Sequence, residues 1–371
     1  MLSFMQRNPG FVWLSLGLWS GVVLTCTFQA YPPSPPPSGF VTPPHFGNLY
    51  QIPADNPMHP DAVALGRMLF YEPLLSYDST LTCANCHQQS KAFTDGQAFS
   101  RGIQGQRSDR SAMSLVNLLW NNSFFWDGRA KSLETQALVP IQNPREMGLN
   151  IQEAARRLQA TALYPPLFRK AFGTRQIKPE HILKALAQFE RTLISANARY
   201  DQIVRGEVQA TEREWRAINL FMTHPVPEAN LRGANCGDCH GSHLTTLNTF
   251  HDNGLDAQPQ DEGRALVTGQ AYDKGKMRAP SLRNIALTAP YMHDGRFKTL
   301  REVLDHYNEH IQASPNLDPL IMEATNEPEG QSLALTEEEK EDILLFLHLL
   351  TDSTFIQDPR FSNPFVAPKH P

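Results

Sequence analysis

Ser281-Leu282-Arg283-Asn284, nine further residues, then Asp294-Gly295-Arg296-Phe297-Lys298-Thr299-Leu300 form the stretch that decides the fold, because it occurs twice. The earlier copy reads Ser114-Leu115-Val116-Asn117, again nine residues, then Asp127-Gly128-Arg129-Ala130-Lys131-Ser132-Leu133, with no gap between the two. An internal repeat of this kind marks duplicated structural units. Each copy lies downstream of a Cys-x-x-Cys-His motif, so the economical account is two related domains built on one plan.

The motifs are Cys83-Ala84-Asn85-Cys86-His87 and Cys236-Gly237-Asp238-Cys239-His240. At this spacing two thiols share one helical turn and can form thioethers to haem vinyl groups, while the adjacent histidine supplies the proximal iron ligand. Zinc held by two CxxC pairs, or a redox dithiol, would leave both histidines unexplained, and the long separation is unlike a compact zinc ribbon. Two covalently bound c-type haems are therefore expected. The fifth cysteine, Cys26, lies in an apolar N-terminal stretch, so none remains for a disulfide framework.

Working outward, 371 residues suffice for roughly two domains, and 41% apolar with 19% charged composition is ordinary for a globular protein. The net charge of −5 is dispersed and no Lys/Arg block is present, which argues against nucleic acid as a partner. Arg7 followed by an apolar run from Phe11 to Cys26 reads as an export signal, shorter than the ~20 residues of a membrane span. Residues 1–30 are thus a signal peptide or membrane anchor of a periplasmic protein, with cleavage, lipidation and retention left open. Residues 31–48 read as a proline-rich linker, 49–205 as the N-terminal haem domain, 206–360 as the C-terminal one and 361–371 as a tail. Helix signals cover Asp61–Phe70, Ile151–Leu163 and Pro179–Ile194, and Thr211 with Glu214, like Thr336 with Glu339, has the form of a capping box. Strand-like alternation is scarce. The fold class is mainly α.

The repeat also assigns different tasks to the haems. Thirteen residues past Asp127 stands Pro140, and thirteen past Asp294 stands Tyr307. If both positions face a haem, proline cannot ligate iron and tyrosine can, which leaves the N-terminal iron open to peroxide. Glu146 is near enough in sequence to shuttle a peroxide proton from one oxygen to the other. A surface glutamate and a core tyrosine are the plain alternatives.

From about Ile52 to Thr351 the chain resembles the bacterial di-haem cytochrome c peroxidases and the related enzyme that matures methylamine dehydrogenase. The resemblance rests on Leu65-Gly66-Arg67-Met68-Leu69-Phe70, Phe125-Trp126-Asp127-Gly128-Arg129-Ala130, Pro140-Ile141-Gln142-Asn143-Pro144-Arg145-Glu146-Met147, and Leu282-Arg283-Asn284 through Thr288-Ala289-Pro290-Tyr291-Met292-His293-Asp294-Gly295. It implies Gln136, Pro140 and Glu146 in the distal pocket of a peroxidatic N-terminal haem, an electron-receiving C-terminal haem, and Trp126 as a relay between them. It also implies a calcium ion held by the carbonyls of Thr288 and Pro290, with Ser111 where an asparagine is usual. Ile103 replaces the histidine that caps the N-terminal haem in many of these peroxidases, so reductive activation should be unnecessary. Tyr307 replaces the methionine of the C-terminal haem, as in the maturation enzyme; a phenolate oxygen would favour the higher iron charges and lower the potential.

The expected activity is reduction of hydrogen peroxide to water, with electrons from a small periplasmic cytochrome c or cupredoxin entering at the C-terminal haem. Peroxide-dependent oxidation of a partner protein's side chain is the alternative that Tyr307 and Ile103 favour. A non-catalytic di-haem electron carrier is the third, and Glu146 with the ligand-free Pro140 position argues against it.

Overall fold

Several helices begin where the sequence supplies a side-chain cap. The computed structural model describes residues 40–366, in which the helices are α1 (Pro60–Phe70), α2 (Cys83–Cys86), α3 (Leu133–Gln142), α4 (Ile151–Gln159), α5 (Tyr164–Phe172), α6 (Pro179–Arg191), α7 (Arg199–Val204), α8 (Glu212–Met222), α9 (Gly237–His240), α10 (Ala265–Thr268), α11 (Leu300–Glu309), α12 (Pro319–Met322) and α13 (Glu337–Leu349). The capping boxes ahead of α8 and α13 form as expected, Thr211 and Thr336 each accepting from the backbone N–H of a glutamate three residues on. The helix expected over Ile151–Leu163 instead ends at Gln159, and α5 starts afresh at Tyr164 with Pro165 and Pro166 in its first turn. Proline has no N–H for an interior helical bond but costs little in a first turn, so the break falls ahead of the two prolines. The only ladder among the described residues is antiparallel, β1 (Phe250–His251) on β2 (Met277–Arg278). The protein is mainly α.

The repeat is realised in equivalent backbone turns and hydrogen bonds. Asn117 and Asn284 both adopt left-handed backbone, with φ of 60° and 61°. Asn117 N–H donates to Leu193 O just past α6, and Asn284 N–H donates to Leu350 O just past α13. Phe124 bridges Ala130 as Tyr291 bridges Phe297, and the carboxylates of Asp127 and Asp294 each accept from the backbone N–H two residues on. Ser132 then caps α3 and Thr299 caps α11. Pro140 and Tyr307 are each the eighth residue of their helix, so they occupy equivalent places.

Two hydrophobic cores follow the duplication. The first gathers Phe70, Phe93, Phe168 and Phe189; the second gathers Phe221, Ile343, Phe346 and Leu350. Each fully buried phenylalanine contributes about 1.5–3 kcal/mol. Phe355 and Phe361 return from the far end of the chain to the first core, where Tyr71 Oη donates to Phe361 O at 2.7 Å. The end of the proline-rich segment is also more than a spacer. Phe46 is buried edge-on against Trp120, 5.3 Å between ring centroids, and His45 Nε2 lies 2.8 Å from Asp201. Residues 1–39, with the export signal and most of the linker, lie outside the described residues; among the described residues no helix is long and apolar enough to cross a membrane.

Candidate di-haem active site

The two CxxCH motifs adopt the local structure that haem attachment needs. Asn85 and Thr82 form a capping box that winds Cys83 to Cys86 into one turn, and His87 follows at its end. His87 Nδ1 is 2.8 Å from Phe93 O, and His240 Nδ1 is 3.1 Å from Pro280 O and 3.3 Å from Thr245 O. Carbonyls accept, so Nδ1 carries the proton and Nε2 is the nitrogen left to ligate, as second-shell bonds to metal-ligating histidines usually arrange. Burial lowers the pKa of both imidazoles, that of His240 to about 4, which keeps them in the neutral, metal-binding form.

Each motif lines a cavity. The first, about 640 Å³, is walled by Cys83, Cys86 and His87, and the second, about 240 Å³, by Cys236, Cys239 and His240. Two thiols and one neutral imidazole on each wall are a donor set that fits a c-type haem.

Gln136, Pro140 and Glu146 all line the first cavity. Gln136 and Pro140 are one helical turn apart on α3, so they share a face. Glu146 follows from the turn after α3, held by Asn143 Nδ2 donating to its Oε1 at 2.8 Å. Burial raises the Glu146 pKa, against the opposing pull of Asn143 and Arg129. The amide oxygen of Gln136 is buried without a partner. Ile103 is buried as well, but it packs on the turn after α3: a β-carbon at Gly148 would fall 2.4 Å from its Cδ1, and its N–H donates to Glu146 O.

Tyr307 lines the second cavity, its hydroxyl 3.0 Å from Asn253 Nδ2. Burial pushes the phenol up to about 12, so its ionised form needs a strong local cation beside the oxygen to stabilise it. The neighbouring histidines face elsewhere. His306 Nε2 is 3.0 Å from Asn253 O with its ring against Phe297, and His310 is exposed at the end of α11.

Trp126 lines both cavities. Its indole N–H donates to Ser111 O at 3.0 Å and its ring lies 6.4 Å from that of His293, the residue in the equivalent place of the other repeat. The backbone around this pair is itself nearly two-fold: Ser111 N–H donates to His293 O at 2.8 Å, and Arg278 N–H donates to Trp126 O at 2.7 Å. Arg110 spans the seam, pairing with Asp127 at 2.6 Å and Asp261 at 2.7 Å. The residues named for calcium do meet here, since Ser111, Thr288 and Pro290 all line the second cavity. Ser111 Oγ, however, donates to Met292 O at 2.9 Å. Among the described residues no group of three or more His, Cys, Asp or Glu side chains could hold a metal. A committed hydroxyl and two backbone carbonyls carry no charge and do not by themselves fill calcium's six to eight oxygen positions.

Sequence reasoning missed Asn253, Met292, Glu190 and Arg278. Asn253 and Met292 belong to the second cavity, with Met292 Sδ 3.6 Å from Asn253 Nδ2. Glu190 is buried in the first cavity and Arg278 lies between the two. Only Arg278 had a signal available: the repeat offset carries Ser111 onto it.

A family model described as di-haem cytochrome c peroxidase matches residues 60–209. The methylamine utilization protein MauG of Methylorubrum extorquens is 36% identical over 305 residues, covering 80% of this chain and 80% of its own. The cytochrome c551 peroxidase of Nitrosomonas europaea is 33% identical over 262 residues, 69% of this chain and 75% of its own. A crystal structure of a MauG-like protein associated with microbial copper homeostasis superposes with a TM-score of 0.79 at 36% identity, covering 87% of this chain and 99% of that one. With paired CxxCH cavities, a duplicated helical scaffold and relatives of this extent, the chain belongs to the di-haem cytochrome c peroxidase family, which includes the MauG branch.

Proposed function

We propose that the protein is a periplasmic enzyme that reduces hydrogen peroxide at its N-terminal haem with electrons passed from its C-terminal haem. The observation that carries this reading is the asymmetry of two equivalent helix positions: Pro140 presents no ligating atom to the first cavity, whereas Tyr307 presents a hydroxyl to the second. Iron held by His87 would supply the site at which peroxide binds and its O–O bond is reduced. The chain's own residues handle the protons. Asn143 occupies Glu146 Oε1, so Oε2 is the atom that takes the proton from the near peroxide oxygen and returns it to the far one. Gln136, with its amide oxygen buried and unpartnered, accepts from the peroxide O–H and orients it. The balance is one peroxide, two electrons and two protons to two waters. Trp126, common to both cavities, is the relay through which the electrons pass.

A small cytochrome c or cupredoxin is the proposed donor. Steady-state peroxide reduction with an artificial electron donor tests the reading; a holoprotein that carries both haems yet consumes no peroxide is an electron carrier instead. Tyr307 favours a second reading, in which the electrons come from a side chain of a partner protein, because a phenolate ligand would stabilise oxidised iron. Mass spectrometry of co-expressed proteins after peroxide treatment distinguishes the two: a partner carrying a peroxide-dependent mass change supports side-chain oxidation.

A further inference from the structure

Three arginines are buried among the described residues, Arg191, Arg278 and Arg283. Two are matched by carboxylates, Arg283 by Asp201 at 2.7 Å and Arg191 by Glu134 at 2.8 Å. Arg278 has no such match. Its Nη1 donates to Asn248 Oδ1 at 3.2 Å, its Nη2 makes only a long contact of 4.0 Å to the Met113 thioether, and its Nε is buried with no partner. Burial alone lowers its pKa, to about 10, with no neighbouring acid to compensate the charge. A guanidinium taken out of water without a counter-ion is strongly unfavourable, which makes the arrangement sensible only if an anion completes it.

Position identifies the anion's class. Arg278 lines both cavities, and its backbone N–H is fixed to Trp126 O at the seam between them. A haem in either cavity brings two propionate carboxylates, and the planar guanidinium fork matches a carboxylate bidentately. In the other repeat the equivalent residue is Ser111, which has no charge to offer, so the seam contains this cation on one side only.

We propose that Arg278 is the anchor for haem propionate carboxylates at the seam, a single buried cation that compensates charge for the two haems. The proposal rests on the two-haem reading. Its electrostatic consequence is definite: a compensated propionate no longer stabilises Fe(III), so Arg278 raises the potential of the haem it touches. Removing the cation leaves a buried carboxylate unpaired beside the iron and favours the oxidised state.

The test uses the holoprotein with Arg278→Gln and Arg278→Lys. Haem is counted first by pyridine haemochrome; fewer than two haems per wild-type chain overturns the two-haem reading itself. With two haems present, Arg278→Gln is expected to lower the reduced-to-oxidised ratio of at least one haem about tenfold at fixed potential, a fall of ~59 mV for a one-electron couple. Arg278→Lys, which keeps the charge but loses the fork, should fall between wild type and the glutamine variant. Potentials equal to wild type in a fully loaded Arg278→Gln protein overturn the anchor while leaving the two-haem reading intact. If the glutamine variant does not accumulate, a crystal structure of the wild-type holoprotein decides: a propionate oxygen within hydrogen-bond distance of the guanidinium supports the anchor, and its absence overturns it.

Discussion

Glu146 and Glu190 are both buried carboxyls of the first cavity, and their partners separate their roles. Glu146 has a donor, Asn143, and a nearby cation, Arg129, which pull its pKa down against burial. It can therefore cycle its proton. Glu146→Gln should slow peroxide turnover about 10²–10⁴-fold, the usual worth of general acid–base assistance, with both haems retained; a loss below about threefold removes it as the shuttle. Because the shuttle must begin ionised, activity should rise with pH through a pKa above the ordinary carboxylate range. Asn143→Ala removes a donor to the ionised form and should move that acid limb further up; a limb that stays put would mean another group controls it. Glu190 has no hydrogen-bond partner at Oε2, and burial pushes its carboxyl from 4.5 up to about 8. Between those values the folded state binds a proton that the unfolded state has released, so stability falls as pH rises across the window, by at most about 1.4 kcal/mol per pH unit. Glu190→Gln should flatten that slope in denaturant titrations. An unchanged slope would place the ionisation elsewhere.

At the level of elements, α3 and α11 are one helix used twice, each opened by a Ser or Thr cap and each presenting its eighth residue to a cavity. What differs is the side chain delivered. A phenolate stabilises the higher iron charge and a thioether favours Fe(II), and axial ligation moves haem potentials over as much as ~0.8 V. Tyr307→Met should raise the potential of the C-terminal haem and speed its reduction by a high-potential donor; an unchanged potential and EPR signal would sink the ligand assignment. The reciprocal change is equally telling. Pro140→Tyr restores the N–H that proline lacks and delivers a hydroxyl to the first cavity, so peroxide reactivity should be lost while the helix is kept. Retained turnover in that variant would mean the eighth position does not face the iron.

Over the whole molecule, the duplicated halves meet at a seam held by Arg110 with its two aspartates and by the near-symmetric backbone bonds of Ser111 with His293 and Arg278 with Trp126. The second half contributes to the first cavity through Arg278 and the segment 261–268: Asp261, Leu266 and Val267 line it, and Arg264 donates to Asp127 O. The first cavity is therefore composite. Matured protein should carry two covalent haems per chain, and one haem, or haem extracted by acidified solvent, would refute the attachment assignment. Ile103 offers no ligating atom, so fully ferric protein mixed with peroxide in a stopped-flow spectrometer should change its Soret band at once. A response only after an electron donor is added would mean that another group caps the N-terminal iron.

The sequence by itself determined the duplication, the attachment motifs and the contrast of Pro140 with Tyr307, because each of these is a local pattern: a turn with a fixed cap, a spacing within one helical turn, a register along a helix. It also indicated several of the helices, and overran at Ile151–Leu163, where Pro165 and Pro166 open a new helix, and at the end of Pro179–Ile194, where α6 stops at Arg191. Tertiary structure decided the rest. Asn253 holds the Tyr307 hydroxyl from a loop far away in sequence, and Phe361 fills a core built near the other end of the chain. Arg278 is distinctive only because folding removes it from water between two cavities, and no periodicity records which cations a fold will leave without a counter-charge.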